Sequence, residues 1–207
     1  MGINAKFLPY PWPKIFPTVK TKKIQIPKYL FFGNLSGLGS KSALLILFRK
    51  IYPLLLKKKG KNNFLINIVG HSPANSYLNK VNLKEYPEIN YLGFVKNLND
   101  ITSKSISVIF PGDVPIGNRC RLVSCMASKI PIVAHESCSR GNPFLIDAHS
   151  AYLSKNPVDF VEKMLLSVID KKLRKKILDN AFRLYSENYS PKVAGKKFER
   201  FINETNS

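Results

Sequence analysis

Short apolar runs alternate with helically spaced apolar positions along the chain. Tyr29 to Phe32, Phe64 to Val69, Ile89 to Leu92, Ser105 to Phe110, Ile130 to Ala134 and Ala151 to Leu153 are rich in β-branched, aliphatic and aromatic residues. Gly33, Gly70, Gly93, Pro111 and His135 close the first five runs, a pattern that predicts buried strands. Leu44, Leu47, Phe48 and Ile51 predict a helix capped by Ser40, kinked or broken at Pro53 and stopped at Gly60. A further helix is expected from about Arg119 to Ser128. Asn156 caps a segment with Pro157 in first position and Val158, Val161, Leu165 and Val168 behind it. Asp170 caps another carrying Leu173, Ile177, Leu178 and Phe182, and Ser190 with Pro191 opens a last one carrying Phe198 and Phe201.

Strands alternating with helices predict an α/β fold, a single Rossmann-like doubly wound parallel sheet with helices on both faces. It is expected over residues 29–207. Residues 1–28 hold Pro9, Pro11, Pro13, Pro17 and Pro27, a composition that resists helix and central strand, and they read as an extended arm or interdomain linker.

Composition narrows the function classes. The chain has 207 residues, of which 44% are hydrophobic, enough for one core and too apolar for intrinsic disorder. The longest apolar run, Ala43 to Phe48, falls far short of the roughly 20 residues that span a bilayer. With no secretory or myristoylation pattern, a cytoplasmic location is expected. Cys120, Cys125 and Cys138 form no CxxC pair, so buried reduced thiols are expected and no metal site is assigned. The formal net charge of +20 opens three readings of the basic residues: solvated helix ends, a face for an anionic membrane surface with peripheral attachment, or nucleic-acid binding. The densest runs are Lys57 to Lys61 and Lys171 to Lys176, and no nucleic-acid-binding motif accompanies them.

In an open parallel sheet, ligands bind beyond the carboxyl ends of the strands. The segments that matter are then Gly33 and Asn34, Gly70 to Ser72 (with His71), Gly93 to Val95, Pro111 to Arg121, and His135 to Asn142. Gly117, Arg119 and Arg121 open the fourth-strand helix, where N–H dipoles and guanidinium groups could meet a diphosphate together without metal. Solvent exposure of both arginines is the alternative, although a cation at a helix N-terminus works mildly against the dipole.

The series FFGNLSGLGSKSALL, FLINIVGHSP, INYLGFVKNLNDI, IPIVAHESCSRG and NAFRLYSENYSPKVAGKKF resembles, in order, the nucleotide-sugar-binding domain of retaining glycosyltransferase family four. The run GNRCRLVSCMASKIPIVAH is similar to that family's Gly-x-Arg-x-Lys-x-x-Glu-Ala-Met-Ala-x-Gly-x-Pro-Val-Val stretch. The resemblance covers roughly residues 29–202. It implies the C-terminal half of a two-domain GT-B enzyme, no cofactor, and a nucleoside-diphosphate sugar as donor for a glycan, lipid or other acceptor in glycan or cell-envelope biosynthesis. Carried over, Arg119 and Arg121 fall on the basic pair that contacts donor phosphates, Gly33 and Gly70 on the glycines after the first two strands, and Gly141 and Asn142 in the diphosphate loop. His135 ends its strand as in a subset of these enzymes, or is a satisfied structural histidine.

The chain departs from the family at three acidic positions. Ser124 stands where a carboxylate binds the donor ribose, and Ile116 and Phe144 stand at two further acidic positions. No general base is assigned. An acceptor domain or partner chain is implied, and the isolated chain is expected to be inactive in transfer. A degenerate, non-catalytic binding module is the alternative reading.

Overall fold

The computed structural model describes residues 8–14, 16–17, 25–73, 76–115 and 117–205. Ile116 lies outside them, as do residues 1–7, 15 and 18–24 of the proline-rich arm. Six strands, β1 (Lys28–Phe32), β2 (Leu65–Val69), β3 (Ile89–Tyr91), β4 (Ser107–Phe110), β5 (Ile132–His135) and β6 (Tyr152–Ser154), form one sheet in the order β3-β2-β1-β4-β5-β6. Every neighbouring pair is parallel. Parallel strands need covered faces, which explains why Tyr29 to Phe32 and Ser107 to Phe110 are buried without alternation.

One layer holds α1 (Leu38–Ile46), a π-helical turn (Leu47–Ile51), α2 (Tyr52–Lys59) and α5 (Pro157–Ile169). α4 (Cys120–Ala127) and α6 (Lys171–Asn188) pack on each other, and α7 (Pro191–Thr205) contacts α6. A short α3 (Asn99–Ser103) precedes β4. Asn156 and Asp170 cap as expected, Oδ1 of each accepting an N–H three residues on, from Asp159 at 3.0 Å and Leu173 at 2.8 Å. The arm's described residues lie against this side: Trp12 exchanges bonds with Tyr189 and Tyr185, and the Phe16 carbonyl accepts from Ser128 Oγ at 2.8 Å.

Two expectations need correction. Ser40 does not cap α1, because Asn34 folds onto Ser36 (N–H to Oδ1, 3.0 Å) and lets the helix start at Leu38 after Gly37, leaving Ser40 buried in its first turn. Pro53 does not break the helix. Leu44, Leu47, Phe48, Ile51 and Leu55 all bury on one side, and the π turn immediately before α2 re-registers the backbone where proline has no N–H to give.

At the amino end of the sheet, buried Glu88 accepts Tyr52 Oη–H at 2.6 Å and the Asn62 N–H at 3.0 Å, tying α2, the turn after it and β3 together. Burial raises the carboxyl's pKa, but these bonds and the nearby Lys61 charge outweigh it and hold the pKa below the ordinary value. A depressed carboxyl stabilises the fold above its unfolded pKa and loses that contribution as pH falls through the folded one. Tyr52→Phe should therefore cost about 1.5–3 kcal/mol at neutral pH. The cost should shrink at pH below the carboxylate range, and urea titrations showing the same loss at both pH values would refute the charged bond.

Candidate functional site

Strand order reverses between β1 and β4, and a crevice opens beyond their carboxyl ends. Phe31 and Phe110 stack there with centroids 5.6 Å apart. Arg119 Cζ lies 4.2 Å from the Phe110 centroid, and Arg121 Cζ lies 5.1 Å from Phe110 and 5.8 Å from Phe31. Planar guanidinium groups stack on rings favourably, so the phenylalanines form the floor on which both charges rest.

Hydrogen bonds then fix each head group. Arg121 Nη1 donates to the Phe32 carbonyl at 2.6 Å and Nη2 to Ser40 Oγ at 3.3 Å, joining α4 to β1 and α1. Arg119 Nη2 donates to the Val114 carbonyl at 2.6 Å. Its Nε is buried with no hydrogen-bond partner among the described residues, and the Cys138 sulfur lies close to the guanidinium. Solvent exposure of the arginines is thus excluded. Arg119 is the residue before α4 rather than part of its first turn, and only 9% of its surface is accessible.

No acidic side chain among the described residues reaches either guanidinium. Among the described residues, acids pair with Lys58, Lys129, Lys163, Arg183 and Arg200 instead. Burial first, and the Arg119 charge second, push the Arg121 pKa down to about 10. At neutral pH the crevice therefore holds two unneutralised positive charges, and no side chain caps the α1 N-terminus beside them. An anion is the chemical complement of that arrangement.

Glycines make the arrangement possible. A Cβ on Gly33 would lie 2.5 Å from Arg121 Cζ, and one on Gly39 would lie 2.7 Å from Arg119 Nη1. Gly141 packs on the Gly117 carbonyl, and Asn142, fully buried, clasps the same loop: its Oδ1 accepts the Arg119 N–H at 2.9 Å and its Nδ2 donates to Asn118 Oδ1 at 2.7 Å. Asn142 is thereby committed to positioning Arg119.

Beside the arginines, the ends of β1, β2 and β3 enclose a cavity of about 360 Å³ lined by Gly33, Asn34, Gly70, His71, Phe94 and Leu98. His71 faces it, while its carbonyl accepts the Leu35 N–H at 3.3 Å. Phe94 is 77% exposed at its rim. Sequence reasoning pointed to Gly93 to Val95, and so to Phe94, as one of the strand ends that matter, but not to Leu98. It also missed Ser40, Gly39 and Phe110, whose roles exist only once β1, β4 and α1 meet.

Two candidates fall elsewhere. Ser124 is fully buried one turn into α4, its hydroxyl donating to the Cys120 carbonyl at 3.1 Å, so it presents nothing to the crevice. His135 lines a separate cavity of about 120 Å³ with Lys50, Asp113 and Asn156, and its Nδ1 accepts the Ser137 N–H at 3.2 Å. Phe144 packs edge-on against Tyr189. The three thiols are free, and burial pushes those of Cys125 and Cys138 up, away from reactivity. Among the described residues no group of three or more His, Cys, Asp or Glu is placed to hold a metal ion, and no helix is long and apolar enough to cross a membrane.

A doubly wound sheet with a cationic crevice at its switch point defines a nucleotide-binding type of α/β domain. The model of the family described as glycosyl transferases group 1 matches residues 26–170, and the chain belongs to that family. Its fold is similar to that of S. aureus TarM, at 19% identity and a TM-score of 0.72 over 92% of this chain and 37% of that one. It is likewise similar to Anabaena Alr3699/HepE in complex with UDP and glucose (14% identity, TM-score 0.70, 86% of this chain and 48% of that one). Sucrose-phosphate synthase from Thermosynechococcus elongatus gives 13% identity and a TM-score of 0.73 over 97% of this chain and 52% of that one. The chain thus spans between about a third and a half of the length of these proteins. No curated protein matches it in sequence.

Proposed function

We propose that this domain binds a nucleoside-diphosphate sugar and presents it for retaining transfer to an acceptor held by another domain or chain. The observation that carries the reading is the pair of guanidinium groups, buried Arg119 and half-buried Arg121, left without a carboxylate at the open N-terminus of α1. A diphosphate supplies the missing charge. Both arginines then stabilise the negative charge that builds on the departing diphosphate, an electrostatic contribution that needs no metal. The 360 Å³ cavity next to them, with Phe94 at its rim, has the size and apolar character for a nucleobase. HepE, described in complex with UDP and glucose, shares this fold.

UDP, GDP, ADP and dTDP at millimolar concentration provide the test by thermal melting. A ligand present at a hundred times its Kd adds about 2.7 kcal/mol. In a chain of this size that corresponds to a rise of roughly 5–10 °C. If none of the four raises melting of the folded chain, the donor-site reading fails.

Binding without transfer is the second reading. It is favoured by Ser124 and Phe144, which stand at positions where the family resemblance implies acids and are spent on a helix carbonyl and on Tyr189. Ligand-induced melting shifts together with no donor turnover, even when an acceptor domain is supplied, would favour it.

A further inference from the structure

Eight of the chain's 26 lysines fall at one end of the sheet. In a parallel sheet all strands start at one edge, and the helices that follow strands end there. Lys57, Lys58 and Lys59 close α2 and Lys61 follows it, Lys104 follows α3, Lys28 opens β1, and Lys171 and Lys172 open α6 after α5 has returned to the same edge. Lys57, Lys61, Lys104, Lys171 and Lys172 are exposed. Among the described residues, Lys58 is the only one of these edge lysines in an ion pair, with Glu162. The acids nearby are otherwise engaged: Asp170 caps α6, and Glu88 is buried within reach of the Lys61 charge. Lys171 and Lys172 sit at a helix N-terminus, where a cation opposes the dipole, so local helix stability does not explain them.

Two large aliphatic side chains stand among these lysines in water. Ile169, at the end of α5, is 74% exposed, and Ile26, two residues ahead of β1, is 40% exposed. Of the exposed aromatics that could stack on bases, Tyr10, Phe94 and Phe198 belong to none of the segments that form this edge, and Phe182 lies three turns along α6 from Lys171.

We infer that the amino edge of the sheet, with Lys57, Lys61, Lys104, Lys171 and Lys172 around Ile169 and Ile26, is a docking face for an anionic phospholipid bilayer. Lysines meet the headgroup charge while the isoleucines enter the apolar boundary, the combination that interfacial attachment requires. The edge lies opposite the Arg119 and Arg121 crevice, so a docked domain keeps that crevice open to solvent. The inference does not depend on what the crevice binds.

Sedimentation of the full chain with vesicles of phosphatidylcholine, with and without phosphatidylglycerol, tests it. Binding is expected only to the anionic vesicles and is expected to fall with salt. Each lysine near such a surface contributes about fivefold in affinity, so replacing Lys57, Lys104, Lys171 and Lys172 by Gln should cost roughly 600-fold. A matched variant with Lys41, Lys96, Lys192 and Lys196 changed to Gln carries the same net charge and should keep most of the binding. Both variants should melt as the parent does. Lack of binding to anionic vesicles, equal loss in the two variants, or an edge-dependent affinity for single-stranded RNA exceeding that for vesicles would each overturn the inference.

Discussion

Arg121→Met and Arg119→Met should each weaken nucleoside-diphosphate binding by 10-fold to over 100-fold, from the loss of a charge-assisted bond of about 1.5–3 kcal/mol. Ligand-free melting should fall little or even rise. Arg119 is buried and Arg121 half-buried in one crevice without a carboxylate, and desolvation together with the Arg119 charge already depresses the Arg121 pKa to about 10. Replacing a buried, unneutralised charge by an apolar side chain of similar length is often neutral or stabilising. Against that stand the lost bonds, to the Val114 carbonyl for Arg119 and to the Phe32 carbonyl and Ser40 Oγ for Arg121, each worth about 1 kcal/mol. Opposite signs on affinity and stability mark residues kept for a ligand rather than for the fold. Calorimetric titration and thermal melting on the same two variants decide it: lowered melting with affinity unchanged would make the arginines structural and remove the site.

Much of this fold was legible because its signals are local. The apolar runs ending at Gly33, Gly70, Gly93 and Pro111 match strands to within two residues, and the Asn156 and Asp170 caps are the observed ones. Where a residue's role depends on distant partners, the signal fades. Ser40 has the chemistry of a cap, yet the Asn34–Ser36 turn starts the helix earlier and leaves Ser40 to accept a bond from Arg121. Pro53 has the chemistry of a breaker, yet the buried row from Leu44 to Leu55 holds the helix together across it. At the site, Arg119 and Arg121 could be picked out by type and by their place after a strand. Their burial could not, because it follows from Phe31 and Phe110 meeting across β1 and β4, residues 79 positions apart in sequence. Ser124 shows the converse: its position in the family pattern suggested a ligand contact, while its place on the inner side of α4 gives its hydroxyl to the Cys120 carbonyl.

Gly70→Ala should be among the most damaging single substitutions, costing about 3–5 kcal/mol from positive-φ strain and overpacking combined. Gly70 has φ +146°, and a Cβ there would fall inside the Gly33 carbonyl oxygen and press on Leu35 Cγ at 3.2 Å. Relief by movement is blocked on three sides. The Gly33 N–H is held by the Val69 carbonyl at 3.0 Å, the Gly70 N–H by the Gly93 carbonyl at 2.8 Å, and the Gly70 carbonyl accepts Tyr91 Oη–H at 3.0 Å. The ends of β1, β2 and β3 are thus locked through this one residue, and the 360 Å³ cavity lies directly above it. Gly141→Ala offers the informative comparison. Its Cβ would collide with the Gly117 carbonyl and approach the Asn118 nitrogen at 3.1 Å, so relief requires the loop ahead of α4 to yield. That yielding moves the Arg119 N–H away from Asn142 Oδ1, so the expected cost falls on nucleotide affinity more than on melting. Chemical denaturation of both variants measures the contrast, and equal stability losses at the two glycines would show that the loop carrying Arg119 is as rigid as the strand ends.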